Sequence, residues 1–243
     1  YALTARRYFH EFESTHDDLV HVSVKNHMHG FENHLAHLRK EVSFDKAKSG
    51  FMVADPLTLY DCCPTSDGAS AIILVADHLA HTFTDTPIWV TGSGAGSDHL
   101  ALHDRPSLTQ LRATQNAASK AYKIAGVSAA DIDLAEVHDC FTIAEVLATE
   151  DLGFAGRGLG GRFAREGQGR RNEGSVTINA SGGLKSKGHP LGATGTGQAV
   201  EIFKQLRHQV EPARQVRDAE LGLTHNVGGS GATCAVHIFG RDR

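Results

Sequence analysis

The sequence lacks the features that mark a membrane-spanning, disulfide-rich or nucleic-acid-binding chain. None of its apolar runs approaches the ~20 residues that a bilayer-spanning helix requires, and no signal-peptide pattern opens it. Cysteine is scarce: four among 243 residues, without framework spacing. That excludes a disulfide scaffold and points to free thiols in a reducing compartment, expected to be the cytoplasm. Charge of one sign is not in excess, since 24 Lys and Arg against 28 Asp and Glu leave a net charge of −4. Such a balance describes neither a nucleic-acid binder nor a polybasic membrane-surface protein. No internal repeat is present, which excludes a solenoid. A hydrophobic content of 40% is enough for one large or two small cores.

The chain opens on Tyr1 in an amphipathic helical pattern and reads as a fragment, or as one piece of a split protein. Residues 3–48 are helical in character, with Leu19, Val20, Val22 and Val24 as an apolar interruption. Asp67-Gly68-Ala69 then lead into Ile72-Ile73-Leu74-Val75, which is predicted to be a strand buried on both faces. Residues 77–86 read as a connector. A second strand, Ile88 to Thr91, runs into a glycine loop, Gly92 to Gly96. Ser107 with Gln110 predicts a capped helix over 108–125, closed by Gly126. A third strand, Leu134 to Val137, leads to His138-Asp139-Cys140-Phe141, and Thr142 with Glu145 caps a helix that stops at Gly153. Residues 153–174, rich in Gly and Arg, read as a mobile loop. Val176 to Ile178 is a fourth strand, followed by a helix over about 196–207. Leu221–Thr224 and Cys234–Phe239 form a closing antiparallel pair around a Gly-rich turn. Strands alternating with helices predict an α/β fold.

The densest signal is Asn179 to Gln198, with six glycines around Gly188-His189-Pro190. So much backbone constraint reads either as an aimed catalytic imidazole or as a tight strand-to-helix turn carrying an incidental His. In α/β sheets ligands gather at the carboxyl ends of strands. The loops there carry His138 with Cys140, His189, and His225 with Asn226. Cys140 lies just before the helix start at Thr142, where the helix dipole favours a thiolate; the alternative is a buried, inert thiol.

His138-Asp139-Cys140-Phe141, Gly188-His189-Pro190 and His225-Asn226-Val227-Gly228-Gly229 together resemble the C-terminal active-site loops of thiolases. The similarity is to the sterol-carrier-type and archaeal acetyl-CoA acetyltransferase branch, and it spans the whole chain. It implies a thiolase-like fold, a mixed sheet flanked by helices. Residues 1–84 would finish the loop domain and an incomplete N-terminal half, and 85–243 would form a complete C-terminal half. The implied reaction is Claisen condensation of acyl-CoA thioesters or its reverse, with coenzyme A as substrate and neither metal nor further cofactor. By the same resemblance, His189 activates a nucleophilic cysteine and stabilises an enolate, and His138 stands by a water in that oxyanion hole. Cys140 is the acid/base at the α-carbon. Asn226 and Gly228 occupy the loop of the second oxyanion hole. Lys185, Lys187 and Ser181 are candidates for meeting coenzyme A. Self-association and a zinc-ribbon/OB-fold partner protein are implied as well.

One part of the pattern is missing. The family's nucleophile, a Cys-x-Ser cysteine at a helix start, has no counterpart here. Cys63-Pro64-Thr65 imitates it only loosely, and Cys62, Cys63 and Cys234 read as structural. The isolated chain is therefore expected to be inactive. Two other readings stand beside this one: a thiolase-like aldol lyase of steroid side chains, and a non-catalytic acyl-CoA- or lipid-binding subunit of a split thiolase. His27, His29, His34 and His37 suggest zinc but bring no carboxylate or thiolate partner. The arginines among 157–171 lack the interleaved aromatics of a single-strand binder, though a meeting with coenzyme A phosphates is open to them. Gly92-Ser93-Gly94 has the wrong spacing for a dinucleotide loop, and Ser181 and Ser230 lack a nucleophile-elbow setting.

Overall fold

A computed structural model describes residues 1–242. In chain order the elements are α1 (Ala2–Glu11), α2 (His16–Phe31), α3 (Phe44–Lys48), β1 (Met52–Ala54), β2 (Leu57–Thr58), α4 (Asp77–Phe83), β3 (Trp89–Ser97), α5 (Arg112–Ala125), β4 (Leu134–Glu136), α6 (Thr142–Asp151), α7 (Gly160–Arg165), β5 (Thr177–Ile178), α8 (Gly183–Ser186), α9 (Thr194–Leu206), β6 (Leu221–Gly228) and β7 (Thr233–Gly240). β1 and β2 make a small hairpin, and the other strands form one mixed sheet in the order β3-β7-β6-β4-β5. β7 runs antiparallel to β3 and β6, whereas β4 runs parallel to β5 and β6. The α/β expectation and the antiparallel closing pair both hold.

Alternation along the strands gives the sheet two apolar faces. Ala135 and Ile238 face the alanine side of α5, while their neighbours Leu134 and Phe239 pack with Ile202 and Leu206 of α9. Gly92-Ser93-Gly94-Ala95-Gly96 is not a loop. It continues β3 because every second residue must be side-chain-free against α5. A Cβ at Gly94 would stand 2.0 Å from the Ala117 carbonyl oxygen, and one at Gly96 2.1 Å from that of Ala113.

Other expectations change at element boundaries. Leu19, Val20 and Val22 do not interrupt a helix; they lie inside α2 and are its buried face. α5 starts at Arg112 without a side-chain cap, because the Ser107 hydroxyl turns to Thr109 instead. Thr142 does not cap α6. It is the helix's first residue and donates to Asp61 Oδ1 at 2.7 Å, while Glu145 turns to a buried lysine. Part of the 77–86 connector is α4.

The 153–174 segment holds α7 and is tied down rather than loose. Arg157, Arg165 and Arg171 pair with Glu150, Asp18 and Glu32, which are on neighbouring elements. Ile72–Val75 forms no strand. Ile73 is 91% and Leu74 73% exposed, for among the described residues no strand lies alongside to take its backbone hydrogen bonds. No helix of the described residues is long and apolar enough to cross a membrane.

Candidate active site

β4, β5 and β6 deliver three loops to one end of the sheet. The first two meet ring to ring: the His138 and His189 imidazoles stand perpendicular, with centroids 4.9 Å apart. The loop after β5 turns tightly through Gly182 at φ 98° and Gly188 at φ 113°. Side chains are excluded at both places, since a Cβ on Gly182 would approach the Gly30 Cα to 2.6 Å and one on Gly188 the Ser66 Oγ to 2.7 Å. Segments from the first third of the chain clamp this loop. His37 N–H donates to Lys187 O at 2.9 Å, and His189 N–H to Ser66 Oγ at 3.3 Å.

His225 and Asn226 stand inside β6, paired with Val236 and Ala235, and not in the loop expected after Thr224, because the antiparallel ladder with β7 runs on to Gly228. α9 ties the His189 loop to this strand. Its Thr194 Oγ1 lies 2.8 Å from His189 Nδ1, and one turn on, Gln198 Nε2 donates to His225 O at 3.1 Å. Asn226 Nδ2 donates to Gln198 Oε1 at 3.1 Å. Gly228 is the last residue of β6, paired with Thr233. All three imidazoles are neutral at pH 7. Burial lowers His189, pulls His138 down to about 4 and His225 to about 3, helped by the repulsion that two neighbouring rings would feel if both were protonated. His138 is 7% exposed, yet its Nδ1 has no hydrogen-bond partner among the described residues. A buried ring nitrogen in that condition fits a site for water or a ligand oxygen.

Cys140 is not the helix-activated thiolate expected from its position. Burial among Ala144, Leu184, Cys63 and Phe141 pushes its thiol up to about 12, which outweighs the hydrogen bond from Tyr1. Cys63 and Cys234 are pushed up to about 11 by burial, and Cys62 is raised for the same reason.

The residues expected to meet coenzyme A divide. Ser181 is buried and donates to Glu136 Oε2 at 2.5 Å. Lys185 is 2% exposed and donates to Cys62 O at 2.7 Å, so its ammonium is spent inside the protein. Lys187 pairs with Glu136 at 3.6 Å and lines a cleft of about 780 Å³ together with Gly188, Pro190, Thr194, Ser66 and Lys204. The four clustered histidines disperse. His27 and His29 bond to the carbonyls of Lys40 and Asn179, His37 to Ser66, and His34 pairs with Glu211.

Beneath the loops lies a polar network that sequence reasoning missed. Lys25 of α2 pairs with Glu145 at 3.0 Å and is 6% exposed. Asn26 Nδ2 donates to both Asp139 and Glu145, and Asn179 Oδ1 accepts from Val137 N–H at 2.8 Å. Asp139 in turn accepts from Leu184 N–H at 2.7 Å and Lys185 N–H at 3.1 Å, which joins the first loop to the start of α8. The available signal was the pair Lys25-Asn26 interrupting the apolar face of α2.

The family description "Thiolase C-terminal domain-like" matches residues 94–241. The acetyl-CoA acetyltransferase of Methanothermobacter thermautotrophicus is 49% identical over 99% of this chain and 62% of that protein. Sterol carrier protein 2 of Bos taurus is 34% identical over 93% of this chain and 42% of that protein. Among solved structures, the Ltp2-ChsH2(DUF35) aldolase superposes with a TM-score of 0.88 at 24% identity, over 100% of this chain and 63% of that one, which bears on the fold alone. The chain thus spans less than two thirds of the length of these relatives. With more than half of its residues matched, the chain belongs to the thiolase C-terminal domain-like family.

Proposed function

We propose that the complete protein is a thiolase-type acyltransferase. It joins two acyl-CoA thioesters by Claisen condensation, or cleaves a 3-oxoacyl-CoA with coenzyme A. This chain supplies its second part: residues 1–84 finish a first half and its loop region, and 85–243 form the C-terminal half. The observation that carries the reading is the edge contact of His138 and His189 at 4.9 Å, at the carboxyl ends of strands and beside a cleft. The 49% identical acetyl-CoA acetyltransferase supports it.

The hydrogen bonds assign the proton on His189. Thr194 has one hydroxyl proton, and it goes to Pro190 O at 3.1 Å, because a carbonyl can only accept. The Thr194 oxygen therefore accepts from His189 Nδ1–H, and Nε2 keeps its lone pair. A bare Nε2 can take the proton of a nucleophilic thiol, and once protonated it can donate to the oxygen of a thioester enolate. The unpartnered Nδ1 of His138 suits a water in the same oxyanion hole. A thiol raised to about 12 rests protonated, which suits Cys140 to the cleavage direction. There its S–H proton passes to the enolate carbon as acetyl-CoA forms. Asn226 and Gly228 line the second oxyanion hole, and Lys187 is the one of the three coenzyme A candidates that the proposal keeps.

None of the four cysteines fits the nucleophile: each has a raised pKa, and none begins a helix. A thiol from outside these residues completes the reaction. The complete enzyme is proposed to be cytoplasmic and self-associating, and a DUF35 protein in the complex of the structurally similar aldolase supports a partner protein. The test is thiolysis of acetoacetyl-CoA. This chain alone should show none, and joined to the rest of its relatives' length it should turn over, with His189→Ala lowering kcat by about 10²–10⁴-fold. Cleavage by the pure chain, or a His189→Ala enzyme of full activity, would overturn the reading.

A further inference from the structure

We infer that His225 is a positioning residue for the reaction proposed above: its ring, in place of the sheet, holds the main chain of His138 where the His138 imidazole meets His189. The inference rests on that functional reading for its effect on turnover, but its geometry stands on its own. The parallel ladder between β4 and β6 ends at Glu136 and Thr224. Beyond it Val137 N–H finds an acceptor in Asn179 Oδ1, and the next donor, His138 N–H, has left the ladder. The acceptor for that buried donor is His225 Nδ1 at 3.4 Å.

A main-chain N–H can only donate, so His225 Nδ1 carries the lone pair and its proton sits on Nε2. Thr114 Oγ1 of α5, 3.0 Å away, accepts from that Nε2–H. His225 is 1% exposed, and burial together with the neighbouring His138 keeps it neutral, so a single tautomer persists. Its own carbonyl is held by Gln198, one turn along α9 from the Thr194 that orients His189. The ring thus couples α5 to the His138 loop, and its main chain joins that loop to the helix that aims the second imidazole.

Two substitutions separate this role from packing. His225→Asn puts a carboxamide oxygen close to where Nδ1 stood and keeps an acceptor for His138 N–H. His225→Gln reaches towards Thr114 and leaves that donor without a partner. On the isolated chain, amide hydrogen exchange at His138 should quicken at least tenfold in His225→Gln and stay near the parent in His225→Asn. In the complete enzyme His225→Gln should lower kcat about 10- to 100-fold with KM within about twofold, and His225→Asn should stay within about threefold. Equal behaviour of the two variants, or kcat losses that merely follow Tm, would overturn the inference.

Should neither variant fold, the parent's ring ¹⁵N spectrum decides, because a His225 protonated on Nδ1 cannot accept from His138. Exchange and spectrum need no turnover. An inactive complete parent enzyme would therefore count against the thiolase reading, whereas a proton on Nδ1 would count against His225.

Discussion

His189 Nδ1 and Thr194 Oγ1 lie 2.8 Å apart, with the threonine's own proton committed to Pro190 O. In the proposed reaction this pair would set which nitrogen of His189 meets the substrate, and a hydroxyl is all it needs. Thr194→Val removes the acceptor and lets the imidazole populate both tautomers. The expected result in the complete enzyme is a kcat about tenfold lower, whereas Thr194→Ser keeps the hydroxyl and stays within about twofold. Steady-state kinetics on the two variants check this. An unchanged valine enzyme would mean that the ring is oriented by something else.

The expectations that held and those that failed differ in what each residue answers to. His138 and His189 were legible because glycine, proline and strand ends restrict the backbone locally, and the loops they stand in meet at 4.9 Å. Gly92, Gly94 and Gly96 misled because their small size answers to Ala113, Ala117 and Ala121 on a helix some twenty residues later. The alternation of glycine in one segment with alanine every fourth residue in the other was visible, but only as a pair. Ile72–Val75 has the composition of a strand, but composition supplies no neighbouring strand, and the segment stays exposed. Cys140 was placed correctly before α6, yet burial outweighs the dipole of a helix that starts two residues on. Lys185 was a candidate for meeting coenzyme A, and only the fold reveals Cys62 O as its partner.

Buried imidazoles make stability depend on pH in a direction that can be worked out. In the folded chain burial lowers His27 and His138 to about 4, His225 to about 3, and holds His29 well below the ordinary 6.5. Between pH 6.5 and 4 the unfolded chain binds a proton at each of these four positions and the folded chain does not. Their contribution is therefore full above pH 6.5 and is lost as pH falls through that window. Asp139 and Asp151 act oppositely: burial raises their carboxyls, so the stability they give is lost as pH rises. Glu201 is raised by burial as well, but with His21, His189 and His237 also lowered the imidazoles outnumber the raised carboxyls across this range. Scanning calorimetry should find Tm falling steadily from pH 6.5 to 4.5, and a flat or rising Tm would mean that the imidazoles are not buried as described.

The Lys25–Glu145 pair lies under both imidazole loops and is nearly closed off from water, with side chains 6% and 4% exposed. Its Coulomb attraction is offset largely by the desolvation of both charges, so the intact pair adds little net stability over apolar residues of like size. Breaking it is another matter. Glu145→Ala leaves the Lys25 ammonium hydrogen-bonded only to Asn26 Oδ1 and Ile178 O, with the Asp139 carboxyl as a more remote charge, and takes from Asn26 and Asn179 the carboxylate they both donate to. The expected cost is about 3–5 kcal/mol, a fall in Tm on the order of 10 °C for a chain of this size. The double variant Lys25→Met with Glu145→Leu removes both charges and should recover most of that loss. Thermal melts of the single and double variants read the difference directly. A single variant as stable as the parent would mean that water reaches Lys25 or that the Asp139 carboxylate takes over its charge. A double variant no better than the single would assign the loss to Asn26 and Asn179, which hold Asp139 and Val137, and so to the loops rather than to the buried charge.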